Sequence, residues 1–306
     1  FLIPNKCCLI LNKSAEFNAR IYLVLSMVIF GTIGIFRRHI PLPSGALACV
    51  RGLIGATALL IIMFIIKKPP KIKNIKSNLV LLIISGALIG FNWIFLFEAY
   101  NYTTVATATL CYYMAPVFVL IASPIFLKEK LSLKQIICSV AAILGVILVS
   151  GVFNQKASGY NNQLIGIIFG LLAALLYATV IILNKKISNI NALDKTVFQL
   201  GSAGVVILPY SLLFENVTCV KLSINIILLI TVVCLVHTTL AYLMYFSAIK
   251  SIKATTAAIF SYIDPVVAIL LSAIILNENL NFYTILGSVL ILGSTLINEI
   301  KIKKVC

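Results

Sequence analysis

Ten apolar stretches, each long enough to cross a bilayer, occupy almost the whole chain, and the last five echo the first five. The echo is sharpest where Ala99–Leu131 aligns without gaps on Ala248–Leu280. Eleven of those thirty-three positions are identical, among them Tyr113/Tyr262, Pro116/Pro265, Val117/Val266 and Glu129/Glu278. The match continues through Ile136/Ile285, Ser139/Ser288 and Val140/Val289. Five spans per copy is an odd number, so the second copy must enter the membrane in the opposite sense to the first. Inverted repeats of this kind build many alternating-access carriers.

A helical span takes about 20 apolar residues and satisfies its own backbone groups inside lipid. On that basis the spans read as 20–36, 45–66, 78–98, 103–127, 133–152, 163–184, 195–214, 224–248, 254–276 and 282–299. The seventh is the weakest pattern, interrupted by Gly201, Gly204 and Pro209. The expected fold is an all-α polytopic membrane protein: ten transmembrane helices, as two inverted five-helix repeats, around a central cavity. Its parts are a cytoplasmic N-terminal segment (1–19), a first repeat (20–151), an external linker (152–162), a second repeat (163–299) and a basic cytoplasmic tail (300–306).

Composition requires lipid around the chain. Only 10% of its 306 residues are charged and 61% are hydrophobic, with a mean hydropathy of +1.12, whereas a soluble domain carries roughly 25% charged residues. The net charge of +16 raises the question of nucleic acid, and its distribution answers it. With the N-terminus inside, the inner segments carry nineteen Lys and Arg, from Lys6 to Lys304, and the outer segments carry four: Arg37, Arg38, Lys156 and Lys221. That is the positive-inside pattern. It places both termini in the cytoplasm and makes the basicity topological.

The eight cysteines fall mostly within spans and show no metal-ligand spacing, so they read as small packing residues. The opening segment Phe1–Leu11 is apolar but too short to span, lacks an initiating Met and is followed by no small-residue cleavage motif. Gly86-x-x-x-Gly90 and Gly166-x-x-x-Gly170 let helix backbones approach closely. Pro116 and Pro265 sit mid-span at matching positions, where a lost hydrogen bond kinks a helix. They are the best pointer to a cavity.

A charge inside the bilayer costs about 2.5–3.5 kcal/mol on insertion scales, so the few that lie there demand a reason. Asp264 precedes Pro265 near the midplane, while its counterpart is Ala115; symmetry did not require it. Two roles fit: attracting a cationic group or taking up a proton, and capping a broken helix or bonding a nearby Tyr. His237, mid-way along span eight, either forms a proton relay with Asp264 or sits neutral against a Thr such as Thr238 or a backbone carbonyl. Arg51 neutralises a substrate carboxylate, pairs with Glu98 or snorkels outward. Asn92 and Trp93 offer hydrogen bonding and an apolar wall, and Tyr112, Tyr113 and Tyr262 flank the prolines. Glu129 and Glu278 read as groups that set a helix–loop–helix turn. No G-x-x-x-x-G-K-[ST], H-E-x-x-H or G-x-S-x-G occurs, so neither ATP-driven pumping nor an enzyme is expected, and no cofactor or metal.

The segments Thr107–Val117 and Leu127–Leu131, with their second-half copies running from Asp264-Pro265-Val266 to Asn277-Glu278-Asn279-Leu280, resemble EamA-type carriers of the drug/metabolite transporter superfamily across essentially the whole membrane region. The resemblance implies a bundle around a central cavity, both termini inside, and transport of small metabolites without ATP, often as export. The small four-helix relatives exchange protons through a Glu in their first span. Spans one and six here hold no carboxylate, so that mechanism does not carry over and proton coupling would fall to Asp264, with or without His237. The expected activity is secondary-active or facilitative transport across the cell membrane, as export, of a small organic metabolite such as an amino-acid-like zwitterion. The solute would sit near Asn92, Trp93, Tyr113, Pro116, Tyr262, Asp264, Pro265, His237 and Arg51. Expected partners are that solute, the lipid bilayer and protons as a candidate coupling ion, with no nucleic acid, in a monomer or weak homodimer. The rival readings are a lipid flippase or scramblase and a non-transporting membrane sensor.

Overall fold

In a computed structural model the described residues are 4–126, 131–150, 162–216, 220, 222–249, 251–252 and 254–299. Most of the expected linker, the tail from 300 to 306, and Glu129 with Lys128 and Lys130 lie outside them. The described chain is helical: α1 (Pro4–His39), α2 (Ser44–Ile65), α3 (Ile72–Lys76), α4 (Leu79–Tyr102), α5 (Val105–Tyr112), α6 (Ala115–Phe126), α7 (Leu133–Val149), α8 (Gln163–Lys186), α9 (Ala192–Phe214), α10 (Ile224–Val232), a π-helical segment (Val233–Leu240), α11 (Ala241–Ile249), α12 (Ala254–Ser261), α13 (Ile263–Ile275) and α14 (Phe282–Glu299).

Seven stretches are long and apolar enough to cross a membrane: Phe17–His39, Ser44–Ile65, Leu79–Tyr102, Val105–Phe126, Gln163–Lys186, Ala192–Phe214 and Ile224–Ile249. Three more apolar helices, Leu133–Val149, Ile259–Ile275 and Phe282–Asn298, are shorter. Large apolar side chains such as Ile125, Leu213 and Ile274 point outward, each more than two-thirds exposed. Ser26, Thr107, Gln199 and Thr239 are buried instead. An apolar exterior over a partly polar interior suits lipid as the surrounding solvent, and the chain is a multi-pass membrane protein.

Close approach of backbones holds the bundle together. A Cβ on Gly52 would stand 2.8 Å from the Gly204 nitrogen, and one on Gly86 would stand 2.6 Å from the Gln199 carbonyl. Pairs such as Gly45 with Glu215, Cys49 with Gly204 and Gly201 with Ala56 run α2 antiparallel to α9. This contact explains why the seventh stretch, despite Gly201, Gly204 and Pro209, is one unbroken helix: its glycines admit α2 rather than ending the helix.

Helix pairings recur when each element is exchanged for its counterpart in the other half. α4 packs on α8 as α1 packs on α11, and α8 lies against α5 and α6 as α1 lies against α12 and α13. The contacts of α2 with α9 and α7 with α14 map onto themselves.

Pro116 and Pro265 do not kink continuous helices. Each lies in the first turn of a new helix, after breaks at Tyr113–Met114 and Tyr262. There the missing N–H has no intrahelical acceptor to lose, so proline is accommodated without strain.

Candidate functional site

The two helix breaks meet at the centre. Tyr113, the C-cap of α5, donates its hydroxyl to Asp264 Oδ2 at 2.9 Å and to the Ser261 carbonyl at 3.2 Å. Tyr262, the N-cap of α13, puts its ring 6.3 Å from that of Tyr113. So the tyrosines that match in sequence face each other in space. Asp264 has no ion-pair partner among the described residues. Its second oxygen accepts no hydrogen bond there, yet is not one of the sealed, unsatisfied atoms. Oδ1 is therefore open.

More tyrosines extend from this point. The Tyr112 ring lies 6.1 Å from Tyr113 and 5.6 Å from Tyr177 on α8. Tyr177, Tyr242 and Tyr245 stand close enough to one another to interact electrostatically, and Tyr177 does so with Asp264. Tyr177 is 39% exposed although it sits in the middle of a helix. These rings come from α5, α8 and α11.

Arg51 occupies a separate position. It neither pairs with Glu98, whose carboxylate accepts from Asn101 Nδ2 at 3.2 Å, nor snorkels, being only 4% exposed. Its Nε donates to Thr238 Oγ1 at 2.8 Å and its guanidinium lies 4.2 Å over the Trp93 ring. A cation held over an aromatic face keeps attraction without an anion. Thr238 belongs to the π-helical segment, where Thr238 and Thr239 hydroxyls bond carbonyls five residues back, at Val233 and Cys234. π-Turns inside helices concentrate at functional sites, and here the turn aims two side chains at other helices.

The second is His237. Its Nε2 lies 2.8 Å from Thr32 Oγ1 on α1, its Nδ1 is 3.4 Å from the Val232 carbonyl, and Phe36 meets its ring edge-on. Its hydrogen-bond partners are thus Thr32 and a backbone carbonyl, not Asp264. Asn92 is buried and donates to the Ala173 carbonyl at 2.6 Å, a tie between α4 and α8. Pro116 borders a shallow crevice with Leu120, Cys138 and Asn298, whose lining does not include Asp264. Pro265 is buried beneath Asp264 in α13. The structure thus joins Tyr113, Tyr262 and Asp264, joins Arg51 to Trp93, and leaves His237, Asn92 and Pro116 apart.

Thr32, Tyr177 and Tyr242 escaped the sequence reading, and Thr238 entered it only as a candidate partner of His237. Tyr177 carried a usable signal, as the one polar-tipped ring of its span. Thr32 carried none, and the bond of Thr238 to Arg51 depends on a π-turn that hydropathy does not register.

At one end of the bundle two carboxylates cap helices from other parts of the chain. Glu215 accepts from Gly45 N and Ala46 N, both at 2.7 Å, and Glu278 accepts from Val105 N at 2.8 Å and Ala106 N at 3.3 Å. Arg38 reaches Glu278 at 3.7 Å and the Thr103 carbonyl at 2.6 Å, and Arg37 bonds the Ile40 carbonyl and Ser44. The Glu278 carboxylate thus ties two helices together rather than setting only its own turn. Helix N-termini favour such anions.

Residues 18–151 and again 164–299 match the family described as the EamA-like transporter family. The chain is 31% identical over 281 residues to a Bacillus subtilis (strain 168) protein named "Uncharacterized transporter YxxF", covering 92% of this chain and 89% of that one. An Archaeoglobus fulgidus protein named "Uncharacterized transporter" is 26% identical over 280 residues, covering 90% and 94%. A protein of known crystal structure superposes with a TM-score of 0.63 at 16% identity, covering 93% of this chain and 96% of its own; that likeness concerns the fold alone.

Proposed function

The chain belongs to the EamA-like transporter family, and on that premise we propose that it exports a small organic metabolite across the cell membrane by alternating access. The ten apolar helices act as spans in two inverted five-helix repeats, 20–151 and 163–299, with both termini cytoplasmic and the end carrying Arg37 and Arg38 outside. Support for the inversion lies in helix directions at that end. α1 finishes there, whereas its counterpart α8 starts there, with Gly166 against Thr103; α2 starts and α9 finishes there; α5 starts and α13 finishes there. In this reading the protein works as a monomer or weak homodimer.

One observation carries the transport mechanism: Tyr113 of the first half donates to Asp264 of the second, at two helix breaks, with one carboxylate oxygen left open. In this reading the helices that meet there rearrange about that point. A solute bound there is then exposed to one face at a time. Asp264 gives the amine half of an amino-acid-like solute a partner. Arg51 suits the carboxylate half less well, since Thr238 and Trp93 already engage it. Proton coupling, if present, runs through Asp264 itself, since His237 is bonded to Thr32. The test is counterflow in proteoliposomes loaded with a panel of amino acids, amines and nucleobases. Accumulation of a labelled solute that Asp264→Asn abolishes supports the reading; no flux of any solute by the wild-type chain refutes it. A lipid scramblase would instead move labelled phospholipid in the same vesicles.

A further inference from the structure

We infer that the feature the central site selects for is a protonated amine on the solute, held between Asp264 and tyrosine faces, and that a carboxylate on the solute is dispensable. The inference rests on the transporter reading above and names its substrate class.

Asp264 brings a carboxylate to bilayer depth, where an uncompensated charge is expensive. Among the described residues it has one phenol as partner and no cation, and Oδ1 is open. The opposite charge, Arg51, is met from within the protein by a hydroxyl, the Trp93 face and the Phe97 ring at 6.0 Å. Three groups of the protein thus engage the cation and one engages the anion. Tyrosine rings gather beside that anion: Tyr113 bonds it, the Tyr112 and Tyr262 rings lie 6.1 and 6.3 Å from Tyr113, and Tyr177 lies 5.6 Å from Tyr112. A cation is attracted to a ring whose centroid lies within about 6 Å, and the Tyr113 ring is the one this geometry sets beside an ammonium on Asp264. Its N–H groups can bond Oδ1 while the rings cover its carbon body. A solute carboxylate brought to the same place would face Asp264 and the electron-rich ring faces, and would be repelled by both.

The experiment uses the full chain in nanodiscs and four ligands sharing one aromatic body: phenethylamine, phenylalanine, phenylpropionate and phenethyl alcohol, with butylamine as an amine lacking the ring. Binding is read by thermal shift and calorimetry. Phenethylamine is expected to bind at least as tightly as phenylalanine, and phenylpropionate and the alcohol to bind about tenfold or more weakly. Asp264→Asn and Tyr113→Phe, both near-isosteric, should weaken amine binding with unchanged gel-filtration profile and helicity. Failure of both amines to bind, binding of phenylalanine without phenethylamine, or amine affinity unaltered in both variants overturns the inference. Flux is measured separately. Amine binding without counterflow leaves the site standing and removes the transporter reading; counterflow of the anion with no amine binding does the reverse.

Discussion

Glu278 closes on the first peptide N–H of a helix that begins 173 residues upstream, its Oε1 accepting from Val105 at 2.8 Å while Arg38 approaches the same oxygen at 3.7 Å. A single carboxylate thus serves as helix cap and ion-pair partner for two helices of the first half. Its removal leaves the α5 N-terminus and Arg38 short of an acceptor at once.

Glu278→Gln keeps the shape and removes the charge. A cap is worth about 0.5–2 kcal/mol, and the anion–dipole contribution about 0.3–1 kcal/mol. The variant should unfold several degrees below the wild type in a detergent thermal melt, and Glu278→Ala lower still. An unchanged melt in both variants would show that the contact contributes nothing to stability.

Gly31 and Gly293 make a matched pair for the packing argument. A Cβ at Gly31 would stand 2.6 Å from the Asp264 carbonyl oxygen and 2.8 Å from Val267 Cβ, whereas one at Gly293 meets nothing within 4 Å. Gly31→Ala should cost about 1–3 kcal/mol through overpacking and displace the helix that carries Asp264, lowering solute counterflow. Gly293→Ala should be neutral or raise stability by up to about 1 kcal/mol, the helix-propensity gain. The two melts and two uptake rates, compared side by side, check this; equal behaviour of the variants contradicts it.

Trp93 is the one tryptophan of the chain, and it lies beneath Arg51. Its fluorescence therefore reports on that contact. Arg51→Met should change the emission intensity and maximum, and Thr238→Val, which removes the hydroxyl accepting from Nε, should change them in the same direction by less. Loss of a cation–π contact in a desolvated place costs about 2 kcal/mol. Thermal melts of Arg51→Met should fall accordingly. Emission spectra that superpose on the wild type would mean that the stacked pair does not form in the membrane.

Much of this arrangement was legible in the sequence because the two halves report on each other. Tyr113 and Tyr262 recur in register, and their rings meet; Asp264 stood out because Ala115 holds the matching place. The helix breaks were legible too, but not their sense. Proline chemistry alone does not distinguish a kink from a fresh start, and the structure begins α6 and α13 just before Pro116 and Pro265. A Thr and a backbone carbonyl were legible as the kind of partner His237 would find, but not which Thr, and the partner of Arg51 was not legible. Both depend on Thr238 and Thr32, and that register follows from the i→i+5 winding of residues 233–240, which has the same apolar composition as ordinary helix. Inter-helix caps such as Glu215 on Gly45 likewise lack any local signature, because donor and acceptor belong to distant segments.

Orientation supplies the last prediction. The positive-inside bias puts the loop holding Lys67 and Lys68 in the cytoplasm and the loop before α10 outside. Both Lys68 and Leu222 lie in connections outside the helices and are exposed, so single cysteines there are open to a reagent in the water phase their loops enter. On a background with the eight native cysteines replaced, Leu222→Cys should react with a membrane-impermeant maleimide in intact cells. Lys68→Cys should react only after the membrane is permeabilised. The opposite result would invert the protein and put the Arg37–Arg38 end, with the caps made by Glu215 and Glu278, inside. Labelling of both sites in intact cells would mean that an odd number of crossings does not separate them, which the alternation of α4, the α5–α6 span, α7, α8 and α9 through the bilayer requires.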